Sequence, residues 1–400
     1  MGKTVLAFGG GAPNFTLMAG ALLCLHEHGL KPDVVSMAGG GSVLGLVYLA
    51  PKGMTRAQAL RNTVNFGVSD FIYAMLPINY KIFQKPGIRA DRLRQRLAAN
   101  PFISPWLNQF YMTETQKLFS DWLQFIAAIM SPSDLGVQST GLCAHAPFIE
   151  NVVDFDKLKK LKIDAHINAY CIEDGRPRIF EKDEITVEHF RAGLSFPFFY
   201  PPFEIDGKHY FEGAAFQALN LKSVIEELIK TSKNERETDE YSNSSSDEKV
   251  RILVFDVLRA GLITNPRNMW EAYGQSIMMP LIALADRELG IFEAWIEHGI
   301  FIDTLPYLSG TATEIEQLVR AQNVGKPNAS MYQVRLAVPE AHARDALTWK
   351  KSSLEYLFKL GYDRACGFIS TLEEENRADR EVLFPRVSND ELARWKQLQI

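Results

Sequence analysis

Apolar residues recur along the chain in two registers. Short unbroken runs end in glycine, and longer stretches carry an apolar residue every three or four positions. VLAFGGG is of the first kind: residues 5–8 read as a buried strand entering Gly9, Gly10 and Gly11 directly. Residues 16–28 follow with Leu17, Ala21, Leu22 and Leu25 at helical spacing. The same order returns in DVVSMAGGGSVLGLVYLA, where Val34, Val35 and Ser36 predict a strand, Gly39, Gly40 and Gly41 a sharp turn, and residues 42–50 a helix. Further on, Asp206-Gly207 reads as a hairpin tip, and a strand over 208–211 delivers Glu212 into a Gly213-Ala214 turn. Strands separated by helices at Val5, Val34 and Ile163 predict parallel pairing. The expected fold is therefore α/β, a three-layer α/β/α sandwich with a mostly parallel central sheet, formed by residues 1–400 as a single domain.

Residues 51–150 predict a helical insertion after the second helix, because 66–83 and 117–130 are rich in aromatic and aliphatic residues at roughly helical spacing. Two readings stand for it: a packing element on the core, or a cap that lines an acyl pocket or dips into a lipid interface through Trp106, Trp122, Phe125 and Ile126. Residues 230–249 hold many charges and no aliphatic side chain, and read as a mobile surface loop between a helix at 221–229 and a strand at 250–257. Beyond about 265 the chain reads as largely helical, with 269–300 broken or kinked near Pro280, a strand at 332–338 and a helix over 341–360. No internal repeat is evident.

The two glycine turns carry the candidate chemistry. A strand, a glycine turn and a helix bring backbone N–H groups to one point, which suits an oxyanion or a phosphate. The dinucleotide spacing G-x-G-x-x-G is absent, since Ala12, Pro13 and Asn14 follow Gly11, and so are the lysine and hydroxyl of a P-loop. The first turn thus reads as an oxyanion turn, with a purely structural tight turn as the alternative. The second has the layout of a nucleophile elbow, and the side chain it is expected to lift is that of Ala38, a methyl with no lone pair. Ser36 on the strand is expected to face packing, and Ser42 to be a helix-start hydroxyl. Glu212, at a strand end beside two small residues, is either a general base or a solvated turn glutamate.

Taken in order, these pieces resemble the patatin-like phospholipases and acyl hydrolases. Gly9, Gly10 and Gly11 match the family's oxyanion loop, Ser36-Met37-Ala38-Gly39-Gly40 its elbow, residues 192–202 its proline-rich approach, and Glu212-Gly213-Ala214 its dyad carboxylate. The agreement covers residues 4–50 and 160–220, and LEYLFKLGYDRA at 354–365 looks like the terminal helix of such proteins. The resemblance implies a serine–carboxylate dyad without histidine or cofactor. Ala38 would hold the nucleophile's position, Glu212 would be the base, Gly9 to Gly11 would form the oxyanion hole, and Gly39 and Gly40 would shape the elbow. The chain departs from the pattern at Ala38, at Glu212 in place of aspartate, and around Pro13. The implied function is a lipid acyl hydrolase of the phospholipase A or lysophospholipase type, with serine as the natural residue at 38 and Ala38 as an inactivating replacement. The rival is a naturally non-catalytic lipid-binding or regulatory protein on the same fold.

Composition narrows the partners. With 400 residues and 46% hydrophobic content the chain can bury a sizeable core, and a formal charge of −5 gives no electrostatic case for nucleic acid. Cys24, Cys143, Cys171 and Cys366 are scattered, and read as reduced core residues of a cytoplasmic protein. No H-x-x-x-H or C-x-x-C spacing supports a metal, and His26, His28 and His209 pair with no second motif. The first strand begins too early to leave room for a cleavable leader, no run of about 18 apolar residues exists to span a bilayer, and Leu6 spoils the myristoylation pattern of Met1-Gly2. The expected partner is a phospholipid or other lipid ester, met in the cytoplasm or peripherally at the inner face of a membrane. Oligomeric state is left open.

Overall fold

A computed structural model describes residues 2–11, 14–107, 112–147, 149–228, 249–298 and 327–386, together with 388 and 390. The loop expected at 230–249 lies outside the described residues except at its last position, as do residues 299–326. In chain order the strands are β1 (Thr4–Phe8), β2 (Val34–Met37), β3 (Phe83–Gln84), β4 (Ala144–His145), β5 (Asp164–Cys171), β6 (Arg176–Glu181), β7 (Phe203–Ile205), β8 (Lys208–Glu212), β9 (Val250–Asp256) and β10 (Ala329–Arg335). The main sheet runs β10-β9-β1-β2-β5-β8-β7, with β6 beside β5. From β10 to β5 every pairing is parallel; β6, β7 and β8 add antiparallel pairings. Helices lie on both sides, so the three-layer α/β reading describes this chain.

The central strands are apolar along their whole length because both faces are covered. All of β1 is buried, and Phe8 meets Phe255 of β9 with ring centroids 4.8 Å apart. Helix α1 (Phe15–Glu27) follows β1 and is buried all round from Phe15 to Leu25. Its outer side is covered by the helix Lys351–Glu375, and the two backbones touch at small residues. A Cβ on Gly20 would strike the Phe358 carbonyl, and one on Gly361 would strike the Leu17 carbonyl. Cys24 and Cys366 are paired as a disulfide across this contact, with Cα atoms 6.2 Å apart. That corrects the expectation of four reduced cysteines: partners separated by 342 residues leave no spacing signal.

Helix α2 (Gly40–Leu49) follows β2 and opens the insertion, which is only partly helical. It contains α3 (Arg56–Asn62), α4 (Asp70–Met75), α5 (Ile88–Ala99) and α6 (Glu114–Met130), and β3 pairs antiparallel with β4. Of the expected helical stretch 66–83, α4 takes six residues and Pro77 follows its end, where the ring disfavours further helix. Helix α6 is set by a full capping box between Thr113 and Gln116. Phe125, expected at a lipid face, is instead buried, and the exposed apolar side chains of α6 include Leu118, Phe119, Ile126, Ile129 and Met130.

Two C-terminal expectations also change. Met269–His298 is one helix that continues through Pro280. The helix expected over 341–360 begins only at Lys351, after 3-10 turns at Glu340–His342 and Asp345–Leu347. Trp349 and Lys351 bond to Val68 (2.8 Å each), and this bridge holds Lys350 extended.

The Gly20–Gly361 contact leaves no room for a methyl. Gly361→Ala is expected to cost about 1–3 kcal/mol through backbone overpacking and to lower the melting temperature by several degrees. Gly290→Ala, whose Cβ would meet nothing within 4 Å on its helix, is expected to stabilise by up to about 1 kcal/mol. Parallel thermal melts check both signs.

Candidate active site

Three strand ends converge. β1 ends in the Gly9–Gly11 turn, β2 in the turn before α2, and β8 in Glu212 and the 3-10 turn Gly213–Ala215. They sit close because small residues separate them. A Cβ on Gly41 would lie 2.6 Å from the Phe8 carbonyl oxygen and 2.7 Å from that of Gly9, so α2 rests directly on the end of β1. A Cβ on Gly10 would lie 2.6 Å from the Ala214 Cβ. Gly213 packs on the backbone of Asn168 in β5.

The apex of the second turn is Gly39. Its backbone has φ +46° and ψ −123°, a conformation that side chains rarely adopt outside strained turns, and it immediately precedes α2. A Cβ added there would collide with Oε1 of Glu212 and stand 3.0 Å from the Ala214 Cβ. Ala38 lies one residue earlier and is fully buried, with its N–H donating to the Phe8 carbonyl at 3.0 Å. The residue directed at the carboxylate is therefore at position 39, one beyond the expected one.

Glu212 ends β8 opposite Ala169 of β5, and its N–H donates to the Ser195 carbonyl at 2.9 Å. The residue is 8% exposed, and burial pushes its carboxyl up to about 8, so at neutral pH it holds its proton. This is not the solvated turn glutamate that an isolated E-G pair suggests. Within the glycine turn, the Gly10 N–H donates to the Ala218 carbonyl at 2.8 Å and is engaged, which removes it from the expected oxyanion donors. Gly11 adopts φ +113° against Leu258.

A polar layer fixes these ends. Ser36, on β2, donates to the Asn220 carbonyl (2.9 Å) and meets the Ser223 hydroxyl (2.6 Å), while Asn220 Nδ2 donates to the Met37 carbonyl (3.2 Å). Asn168 Nδ2 donates to the Gln217 carbonyl (3.0 Å). Glu288, on Met269–His298, accepts the Leu219 N–H (2.9 Å) and is pushed up to about 8 by burial, against its backbone hydrogen bonds. Sequence reading missed Glu288 and Asn220, and nothing local marks Glu288; Asn220 carries a faint sign, since asparagine tolerates its φ of +48°.

Ser195 and His145 form the nearest serine–histidine pair, Nε2 to Oγ 2.9 Å. The Ser195 hydroxyl donates its one proton to the Arg191 carbonyl (2.9 Å), so the imidazole gives a hydrogen to Oγ and is not its base. Burial, helped by Arg191, lowers His145 to about 3, and its ring stacks on Tyr200 at 4.1 Å. Ser195 is fully buried, which fits a support role beneath Glu212. Ser42 is likewise fully buried, one turn into α2.

A model of the patatin-like phospholipase family matches residues 6–225, more than half of the chain. A comparison with curated proteins finds no match. Among solved structures, VipD from Legionella pneumophila aligns with 12% sequence identity and a TM-score of 0.36, over 92% of this chain and 67% of that one. The matched span begins on β1 and runs through both glycine turns and Glu212, and on it the chain belongs to the patatin-like phospholipase family, hydrolases that act on lipid substrates.

Proposed function

We propose that this chain carries the scaffold of a serine–carboxylate lipid acyl hydrolase, of the phospholipase A or lysophospholipase type, from which the nucleophile has been lost, leaving a site that binds lipid esters. The observation that carries the reading is the position of Gly39, whose missing Cβ points at the Glu212 carboxylate. The elbow then reads Met37-Ala38-Gly39-Gly40-Gly41, with Gly41 as the small residue required against β1. This moves the nucleophile's position from Ala38 to Gly39. Neither residue has an atom that can attack an ester.

The parent reaction follows from the geometry. A serine hydroxyl at position 39 would pass its proton to the carboxylate while its oxygen attacks the ester carbonyl, releasing the alcohol from the tetrahedral intermediate. Free N–H groups of the Gly9–Gly11 turn would hold the oxyanion, and water, deprotonated by the same carboxylate, would release the fatty acid. In this chain the longer glutamate occupies the space a serine side chain needs. The two replacements fit one another, which favours long-standing loss over a single inactivating change. The insertion acts as a cap: Phe83 of β3 contacts Tyr200 (6.2 Å), whose hydroxyl is pushed up by burial and, to a smaller degree, by Cys143 and Glu212. The exposed face of α6 gives the cap its peripheral contact with a membrane.

Restoration tests this. The double variant Gly39→Ser with Glu212→Asp is expected to gain p-nitrophenyl ester hydrolysis by about 10²-fold or more over the unmodified chain. Ala38→Ser alone should gain nothing, and activity in that single variant would return the nucleophile to position 38.

Glu212 also sets a pH dependence. An unfolded glutamate loses its proton near 4.5 and the buried one near 8, so between these values the folded chain binds the extra proton and stability falls as pH rises. Glu212→Gln removes that loss. Its melting temperature relative to the unmodified chain should rise steadily from pH 5 to pH 8, and a difference independent of pH would show that Glu212 titrates normally.

A further inference from the structure

A second polar site lies in the insertion, at the start of α6. A cavity of about 180 Å³ is lined by Asn65, Ser69, Lys81, Lys117, Asp121 and Lys351, among others. Its cationic lining outweighs its acidic one: three ammonium groups face one carboxylate. Lys81 and Asp121 form a buried ion pair at 2.7 Å, and Asp121 also accepts the Ser69 N–H at 3.0 Å, so its charge is engaged within the wall. Burial lowers the Lys81 ammonium, Asp121 opposes this, and Lys351 and Lys117 lower it further, which places all three cations within electrostatic reach of one another. The nearest further carboxylates are at the rim: Glu355 lies 3.7 Å from Lys351 and is exposed, and Asp70 is held by the N–H (3.1 Å) and hydroxyl of Ser352.

Two polar side-chain atoms in this wall have no protein partner. Asn65 is 8% exposed, yet its Oδ1 accepts nothing; the Ser69 Oγ is buried and equally without a partner. A buried polar group left so costs about 1–3 kcal/mol, and a ligand that hydrogen-bonds would recover it. Clustered cations with a hydroxyl donor suit a tetrahedral oxyanion.

The surroundings decide where the anion comes from. Leu118 lines the cavity and is half-exposed; Phe119 beside it is 53% exposed and Phe71 64%. These apolar groups continue along α6 through Ile126, Ile129 and Met130. A dissolved ion would gain nothing from them, whereas a lipid presents phosphate and hydrocarbon together. The contacts Phe66–Phe15 (5.7 Å), Phe15–Trp349 (6.2 Å), Trp349–Phe83 (6.0 Å) and Phe83–Tyr200 (6.2 Å) form a wall between this cavity and Glu212.

We propose that the cavity docks the phosphate of an anionic phospholipid, with Lys117, Lys351 and the Ser69 hydroxyl as its contacts and Phe71, Leu118 and Phe119 entering the acyl region beside it. The inference rests on the membrane contact proposed for the cap, but not on the ester site. It makes this a site for a membrane component distinct from the acyl ester held at Gly39.

Vesicle sedimentation tests it, comparing phosphatidylcholine alone with phosphatidylcholine containing phosphatidic acid. The unmodified chain should bind the mixed vesicles and be released by salt. Lys117→Gln with Lys351→Gln should weaken that binding about thirtyfold, and Phe119→Asp should weaken it in a background with both lysines intact. Lys81 is left alone because its pair with Asp121 is part of the wall. If the double variant melts early, Ser69→Ala and Phe119→Asp carry the test singly. Equal binding to both vesicle types, unchanged binding in folded variants, or stabilisation by inorganic phosphate without vesicle binding would each overturn the proposal. Esterase gain at position 39, read on a soluble ester, reports on the other site, so either reading can fail without the other.

Discussion

Close backbone approach at three strand ends is the constraint from which the rest of the site follows. Gly41 lets α2 sit on the carbonyls that end β1, Gly10 lets the first glycine turn meet Ala214, and Gly213 lets the turn after Glu212 lie on β5. Each contact is a place where a methyl would meet another atom at well under van der Waals distance. Parallel pairing of β1, β2 and β5 brings their carboxyl ends to one edge of the sheet, and the antiparallel β8 delivers Glu212 to that edge from the opposite direction. The polar layer of Ser36, Asn220, Ser223 and Glu288 then holds the loops, since a shift of either would leave several buried donors and acceptors unpaired.

Burial makes the carboxylate unusual. Glu212 and Glu288 are both pushed up to about 8, yet they differ in what they do. Glu288 takes a backbone N–H of the turn at Leu219, whereas Glu212 is packed over Gly39. A carboxyl held neutral donates a hydrogen bond instead of accepting a proton, so this site at neutral pH is prepared to hold a carbonyl oxygen more readily than to activate a hydroxyl. That state suits the binding reading, and follows from desolvation alone.

Much of this was legible in the sequence. The buried strands announced themselves as unbroken apolar runs, and the hairpin at Asp206-Gly207 set the place of Glu212 to the residue. The elbow was legible as an object but not in its register. Ala38 to Ser42 are five small residues in a row, so a pattern of small side chains fits at two positions. Only the left-handed backbone of Gly39 distinguishes them, and that is fixed by packing against β1 and β8. The remaining misses are long-range in the same way: Cys24 with Cys366, Leu219 with Glu288, and the Val68 bridge that delays the C-terminal helix each join residues far apart in the chain. Periodicity reports the face a residue presents, not its partner. The insertion was hardest because aromatic richness is shared by helices and loops that pack on a core.

The pairing of Gly39 with Glu212 is best understood as an exchange of volume. A serine at the apex and an aspartate on β8 would fill this corner between them; here the apex has lost its side chain and the acid has gained a methylene. Removing the apex side chain alone would leave a cavity beside a buried carboxyl, and lengthening the acid alone would overpack the corner, each typically costing a few kcal/mol. Together the changes keep the space filled, so stability gives little pressure to reverse either one. Restoring attack at position 39 therefore requires clearing the carboxyl that has moved into its place, and the glycines that allow the backbones to touch remain necessary to the fold whether or not chemistry takes place above them.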